Sequence, residues 1–220
     1  MKYILVTGVS SGIGLSVTKK LIDLGFYVFG SVRNKKDANR VGDKFGDSFT
    51  PLLFDVTDLS AIQSAKNQVQ DKIGDKSLTA LINNAGIAVT GPIIHLSENE
   101  LQKQFDVNVF GVLNVTKTYL PLIKRENPGR IINISSVSGK NVFPFLGAYA
   151  ASKHALEAVS AAFRRQLMIY GIDVILIEPG SSESMIWEKV PDISDFDDTV
   201  YKESFRKMMS GMKNHLEDIN

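Results

Sequence analysis

The sequence predicts an α/β domain: a doubly wound parallel sheet of six strands, in three layers, with helices over both faces. Three observations carry this. Short apolar runs alternate with longer stretches of helical spacing, the order that parallel strands and crossover helices require. The runs are rich in Val, Ile, Leu and Phe, as strands buried on both faces should be. The first run passes directly through a glycine-rich turn into a helical pattern, Thr7 to Gly14. A chain of 220 residues, 44% hydrophobic and 22% charged, suits one domain over 1–220 with a sizeable core.

The strands are expected at Tyr3–Thr7, Tyr27–Ser31, Thr50–Phe54, Thr79–Ile82, Arg130–Ile134 and Asp173–Ile177. Between them, helical spacing covers Ile13–Leu24, a weaker segment near Lys35–Lys44, Ser60–Ile73, Ser97–Arg125 and Ala148–Tyr170. Val17, Leu21 and Leu24 make one apolar stripe of the first helix. Asp58 or Ser60 is placed to cap the third. Pro121 marks the last turns of the long Ser97–Arg125 segment or a kink in it, and Pro128-Gly129 breaks the chain before the fifth strand. A charged helical pattern, Tyr201–Leu216, follows. No internal repeat or low-complexity linker divides the chain.

Composition narrows the chemistry. A formal net charge of +1 with no block of like charge offers no field for nucleic acid or an acidic membrane. Cysteine is absent, which excludes disulfides, thiolate catalysis and cysteine metal sites. His95, His154 and His215 lie far apart without metal-ligand spacing. The N-terminal apolar run is too short for a signal peptide or a membrane span, so a cytoplasmic protein is expected.

Two places carry reactive chemistry. Tyr149-Ala-Ala-Ser-Lys153 puts a phenol and an ammonium four residues apart on one helix face. At ~4 Å and an effective dielectric of ~20 their attraction is roughly 4 kcal/mol. That is enough to draw a phenol well below its ordinary pKa of about 10 and make it a proton donor and acceptor. Thr7-Gly-Val-Ser-Ser-Gly-Ile-Gly14, between first strand and first helix, lets backbone approach a pyrophosphate at a helix N-terminus. Its spacing is G-x3-G-x-G.

Taken with Asn83-Asn-Ala-Gly86, Asn108, Ser136 and Tyr149/Lys153 in that order, the motif resembles the single-domain branch of the short-chain dehydrogenase/reductases, from about residue 2 to about residue 185. The resemblance implies a Rossmann-type fold, a nicotinamide dinucleotide, and reversible hydride transfer between an alcohol and a ketone or aldehyde. It assigns Gly8, Ser10, Ser11, Gly12, Ile13 and Gly14 to cofactor binding. Asp55 and Val56 match the positions at the adenine edge, where a capping or turn role for Asp55 is the alternative. Asn84, Ala85 and Gly86 flank the cofactor, with a turn-fixing role for Asn84 equally open. Pro179 and Gly180 line the nicotinamide, and Ser184 takes the place of a threonine that holds it.

In the catalytic set that the resemblance implies, Tyr149 donates the proton and Ser136, thirteen residues earlier, bonds the same oxygen. Lys153 lowers the Tyr149 pKa and binds the nicotinamide ribose. Asn108 resembles a helix-kinking asparagine that holds a water beside the lysine; its alternative is a buried amide satisfied locally. Ser135 and Ser138 are the neighbours from which Ser136 is chosen by interval. At the end of the second strand, Val32 stands where NAD-using members carry Asp, and Arg33 follows with Lys35 and Lys36 nearby. A guanidinium forks onto a 2′-phosphate, so NADP is expected over NAD.

The substrate is expected to be a lipophilic small molecule. Val142, Phe143, Phe145, Leu146, Met185, Ile186 and Trp187 crowd the pocket segments, with packing or a dimer surface as the alternative. Residues 181–220 form a lid or tail, with Met208, Met209, Gly211 and Met212 in a flexible helix or in ordinary packing. No seventh strand is visible, which puts the family's tetramer in doubt and leaves a homodimer through Ser97–Arg125 and Ala148–Tyr170. The reading from another class is a non-catalytic NADP-binding sensor or scaffold on the same fold.

Overall fold

The computed structural model of the chain describes residues 1–124, 129–180 and 196–217, with side chains in the last helix described as far as 211. Strands β1 (Tyr3–Val6), β2 (Tyr27–Val32), β3 (Phe49–Leu53), β4 (Leu78–Asn83), β5 (Arg130–Ile134) and β6 (Asp173–Ile177) pair in the spatial order β3-β2-β1-β4-β5-β6. Every pairing is parallel. Each lies within one residue of its expected ends.

Alternation of side chains along the strands builds the two cores. Tyr3 and Leu5 of β1 point to one face, Ile4 and Val6 to the other. Helices α1 (Gly12–Asp23) and α2 (Lys35–Phe45) cover the second face through Leu15, Val17, Leu21 and Val41. On the first face, α3 (Leu59–Ile73) brings Ile62, Ala65 and Val69. Next to it, α5 (Gly111–Ile123) brings Val115, Tyr119 and Leu122, and α6 (Gly147–Leu167) brings Leu167. Leu24 is not part of the α1 stripe. It is 61% exposed, because α1 ends at Asp23 and Leu24 is its C-cap.

The segment expected as one helix, Ser97–Arg125, is broken. A helix α4 (Glu98–Phe105), opened by a Ser97/Glu100 capping box, runs into a π turn (Asp106–Phe110) before α5 begins. The extra residue of the turn carries Asn108 into the loop after β4, where it bonds both backbone groups of Ile87. Pro121 sits in the last turn of α5, as expected. Asp58, not Ser60, caps α3: its carboxylate accepts from Ala61 N at 2.9 Å and from the Ser60 hydroxyl. Pro128 lies outside the described residues.

A polar rung crosses the sheet interior. The register pairs Asn83 with Asn133 at the carboxyl ends of β4 and β5. Asn83 Nδ2 donates to Asn133 Oδ1 at 2.8 Å and to Thr116 Oγ1 at 3.0 Å, and Asn133 Nδ2 donates to Ser160 Oγ at 2.8 Å. All four residues are buried.

The last helix, α7 (Lys202–Glu217), buries Phe205 and Met209 against Leu96, Ala148 and Phe196. Of the Met-rich segment, Met209 is buried in this cluster and Met208 packs against it. The Met212 side chain lies outside what is described. Among the described residues no helix is long and apolar enough to cross a membrane.

Candidate active site

The strand order reverses direction between β1 and β4, and a cleft of about 580 Å3 opens there beyond the carboxyl ends of the strands. Open α/β sheets bind ligands at such a switch point. One wall is the loop between β1 and α1, with Gly8, Ser10, Ser11, Gly12, Ile13 and Gly14. Arg33 follows β2, Asp55 and Val56 follow β3, and Asn84, Ala85 and Gly86 follow β4. Ser136, Tyr149, Lys153, Pro179 and Gly180 close the far end. Lys35 and Lys36 do not line it and instead begin α2. Ser184, Met185, Ile186 and Trp187 lie outside the described residues.

The glycine loop is held from three sides. Thr7 Oγ1 accepts from the backbone N–H groups of Asn84 (3.0 Å) and Ala85 (2.9 Å). Asn84 Nδ2 donates to the carbonyls of Thr7 (2.9 Å) and Gly8 (3.0 Å), so the turn-fixing role left open for Asn84 is present. Gly8 N donates to the buried Ser31 Oγ at 3.0 Å. Arg40 Nη2 donates to the Ser10 carbonyl at 2.6 Å while paired with Asp37 at 2.7 Å. The Arg40 guanidinium is the main cause holding the Asp37 carboxyl below its ordinary value. Gly8 has φ +72°, and a Cβ there would lie 2.9 Å from Ala85 Cα. A Cβ on Gly14 would overlap the Gly8 carbonyl and the Asn84 amide.

This cradle fits a phosphate-bearing cofactor. Asn34, Asp58 and Ser97 each cap their helices with a side chain, whereas the N-cap of α1, Ser11, makes no side-chain cap bond and its first turn holds no acidic residue. The N–H groups of that turn therefore face the cleft with a partial positive charge and no side-chain acceptor of their own. Arg33 is exposed at the adjoining end, and among the described residues its guanidinium makes no hydrogen bond or ion pair. Asp55 lines the cleft and also forms a turn, its Oδ1 accepting from the N–H and hydroxyl of Thr57.

At the other end, α6 presents Tyr149 and Lys153 one turn apart, each only 5% exposed. Lys153 Nζ lies 5.7 Å from the centre of the Tyr149 ring and donates to the Ile134 carbonyl at 2.8 Å. The Tyr149 hydroxyl is hydrogen-bonded to Ser136, whose Oγ accepts from Ser138 N at 3.1 Å. Of the three candidate serines, Ser136 is thus the one joined to the phenol. One expectation is reversed here. Burial raises the Tyr149 phenol above its ordinary value, the Ser136 bond opposes this, and Lys153 is not among the groups that lower it. The reason is geometric: the ammonium is directed at a carbonyl of β5 rather than at the phenolic oxygen. Burial also pushes Lys153 down to about 8, with Glu157 opposing.

Asn108 stands behind this pair. It is buried, its Oδ1 accepts from Ile87 N, and its Nδ2 donates to Ile87 O and Ser152 Oγ. Both amide hydrogens are used by protein. A Cβ on Gly86 would lie 3.3 Å from Asn108 Oδ1 and 3.9 Å from Lys153 Nζ, so the three meet at one point.

Some supports were not anticipated. Gln104 repeats the Asn108 pattern, bonding Val89 N, Ile87 O and Ser152 Oγ. Ser152 Oγ in turn donates to the Tyr149 carbonyl at 2.7 Å. Gln104, Ser152, Ser31 and Arg40 escaped notice because their partners are remote in sequence. The available signal was a polar residue on an otherwise buried helix face or strand.

The apolar set divides. Phe145, at φ 61°, turns inward onto Phe205 with ring centres 5.4 Å apart, and Leu146 is buried. Val142 and Phe143 are exposed and border a separate shallow recess of about 330 Å3 with Ile93. Among the described residues no group of acidic and histidine side chains is placed to hold a metal ion.

The family model described as short chain dehydrogenase matches residues 2–193. The chain belongs to this family. Like its relatives, this short chain dehydrogenase is an oxidoreductase. It is 44% identical to an NADPH-dependent 3-dehydrocapnine reductase of Ornithobacterium rhinotracheale, over 94% of this chain and 75% of that protein. It is 33% identical to human short-chain dehydrogenase/reductase family 9C member 7, over 98% of this chain and 72% of that one. Among solved structures, a short-chain dehydrogenase from Streptomyces avermitilis superposes with a TM-score of 0.77 at 32% identity, covering 82% of this chain and 65% of that chain. Serine dehydrogenase from Escherichia coli gives 0.76 at 28%, covering 81% and 82%.

Proposed function

We propose that this enzyme transfers hydride between NADP(H) and a lipophilic alcohol/carbonyl pair, with Ser136, Tyr149 and Lys153 at the reacting centre. The observation that carries the reading is that these three buried side chains share one cleft with the glycine loop and the uncapped start of α1. NADP(H) is favoured over NAD(H) by Val32-Arg33 at the end of β2, where no acidic residue stands to accept ribose hydroxyls. The NADPH-dependent relative at 44% identity supports the same choice. The Arg33 guanidinium would hold the 2′-phosphate, the N–H groups of α1 the pyrophosphate, and Lys153 the nicotinamide ribose.

Bound NADPH supplies the hydride. In reduction, the Tyr149 hydroxyl passes its proton to the carbonyl oxygen of the substrate. Ser136 Oγ bonds that same oxygen and stabilises its developing charge. Lys153, whose ammonium is held on the Ile134 carbonyl, would act on the cofactor ribose beside Tyr149 rather than on the phenol itself. Oxidation reverses each step, with the Tyr149 phenolate as base. A lipophilic partner is supported by Ala88 and Val89 on the cleft wall.

Loss of NADPH absorbance across a panel of lipophilic ketones and aldehydes tests the activity. Arg33→Ala tests the cofactor. A charge-assisted bond is worth about 1.5–3 kcal/mol, so KM for NADPH is expected to rise about tenfold or more while KM for NADH stays in place. Equal losses with both cofactors would refute the 2′-phosphate assignment.

A further inference from the structure

The Tyr149–Lys153 stripe does not end at Lys153. One turn further along α6, on the same face, is Glu157, four residues from Lys153 as Lys153 is from Tyr149. Its carboxylate is divided. Oε2 accepts from Lys140 Nζ at 2.8 Å, and the Lys140 ammonium also lies 3.6 Å from Glu178, just beyond β6. Oε1 is buried and has no hydrogen-bond partner among the described residues, and Ser135 Oγ is in the same condition. Both face Gly139: a Cβ there would lie 2.8 Å from Ser135 Oγ and 3.1 Å from Glu157 Oε1. With no donor on Oε1, the negative charge of Glu157 is offset only from the Lys140 side, and in a buried setting what remains acts strongly on its neighbours. Ser135 is also on the wall of the cleft.

We propose that Glu157 is a positioning residue for the reaction: its carboxylate holds the Lys153 side chain in the protonated form, and Lys140 sets how strongly it does so. The proposal rests on the proton-transfer reading of Tyr149 and Lys153. The other groups about Lys153 carry no charge. From β5 it meets the Ile134 carbonyl, from the loop after β4 it meets Gly86, and beside Gly86 stands the Asn108 amide. Tyr149 is the titratable neighbour on the N-terminal side, and its phenol is held neutral by burial. The adjacent His154 bonds the Ala150 carbonyl on the exposed side of the helix. Glu157 is the anion on this stripe, with Lys140 and Glu178 behind it. Burial works against the ammonium and Glu157 works for it, the two opposed causes that set Lys153 near 8. Glu157 acts through Lys153 and touches no reacting atom.

The sign of the effect separates this role from a structural one. A lysine is charged below its pKa, so a group that raises that pKa extends the protonated range upward. Glu157→Gln removes the anion and should lower the Lys153 midpoint by about one pH unit, a tenfold loss of proton affinity. Lys140→Met removes the cation that partly neutralises Glu157 and should move the midpoint the other way. Lys140 is largely exposed, so this variant is not expected to disturb packing. Glu157→Asp should restore part of the loss. The measurement is a pH titration of the lysine side-chain NMR signals in the cofactor-free protein, with Lys153 assigned by its absence in Lys153→Met. An unmoved midpoint in Glu157→Gln, or a downward movement in both Glu157→Gln and Lys140→Met, overturns the proposal. Because the titration needs neither cofactor nor turnover, it can fail or succeed independently of the catalytic reading.

Discussion

Tyr149→Phe is expected to lower turnover by about 10²–10⁴-fold while leaving the affinity for NADPH unchanged. That range is what a positioned general acid contributes. The substitution removes one oxygen and keeps the ring, which stays packed at the mouth of α6. It ends the hydrogen bond with Ser136 and leaves Lys153 on the Ile134 carbonyl. Steady-state kinetics with any ketone that the wild type reduces, together with NADPH binding followed by fluorescence, measures both quantities. Turnover retained in the phenylalanine variant would end the mechanism. The direction of the pH dependence follows from burial. The phenol lies above its ordinary value, so through neutral pH it is the neutral acid that reduction requires. Oxidation needs the phenolate and is expected to gain steadily as pH rises.

The second large effect is expected at Gly14. In Gly14→Ala the new methyl would overlap the Gly8 carbonyl and the Asn84 amide. Neither neighbour is free to yield. Gly8 is fastened through its N–H to Ser31, and Asn84 Nδ2 donates to two carbonyls of the loop. Overpacking of this kind costs about 1–3 kcal/mol, and in a chain of this size each kcal/mol lowers Tm by about 2–4 °C. The same displacement would shift the cradle, so KM for NADPH should rise as well. Gly42→Ala is the control. Gly42 lies within α2 and its Cβ would meet only Pro51, at an ordinary 3.8 Å. There alanine is expected to stabilise by about 0.4–1 kcal/mol. Thermal melts of the two variants should move in opposite directions, and a Gly14→Ala protein as stable as wild type would show that the loop is looser than its bonding indicates.

The strands were legible because a parallel sheet covered on both faces leaves continuous apolar runs, which glycines and prolines punctuate. The residues lining the cleft were legible because they follow those runs immediately. What escaped was decided by atoms remote along the chain. Ser97–Arg125 has unbroken helical spacing, and only the resemblance, through its helix-kinking Asn108, pointed to the π turn in which Asn108 reaches Ile87 in another loop. The spacing of Tyr149 and Lys153 was readable, but the direction of their pKa shifts was not. It depends on how deeply β5 and its loop bury them, and on a backbone carbonyl that competes for the ammonium. Arg40 shows its pairing with Asp37 in the i,i+3 interval, but nothing local discloses its bond to Ser10.

The paired amides of Asn83 and Asn133 have a consequence for precision. Strands in a parallel array can slide by two residues and still keep their hydrophobic alternation, so greasy contacts alone do not choose among these offsets. Any such slip would strand these side chains without partners, at about 1–3 kcal/mol for each orphaned group. The rung therefore behaves as a key in a lock, admitting a single offset between two neighbouring strands. Asn84 leaves one of those strands and Ser136 the other, so the gap across the cofactor's path is gauged by hydrogen bonds that never touch it.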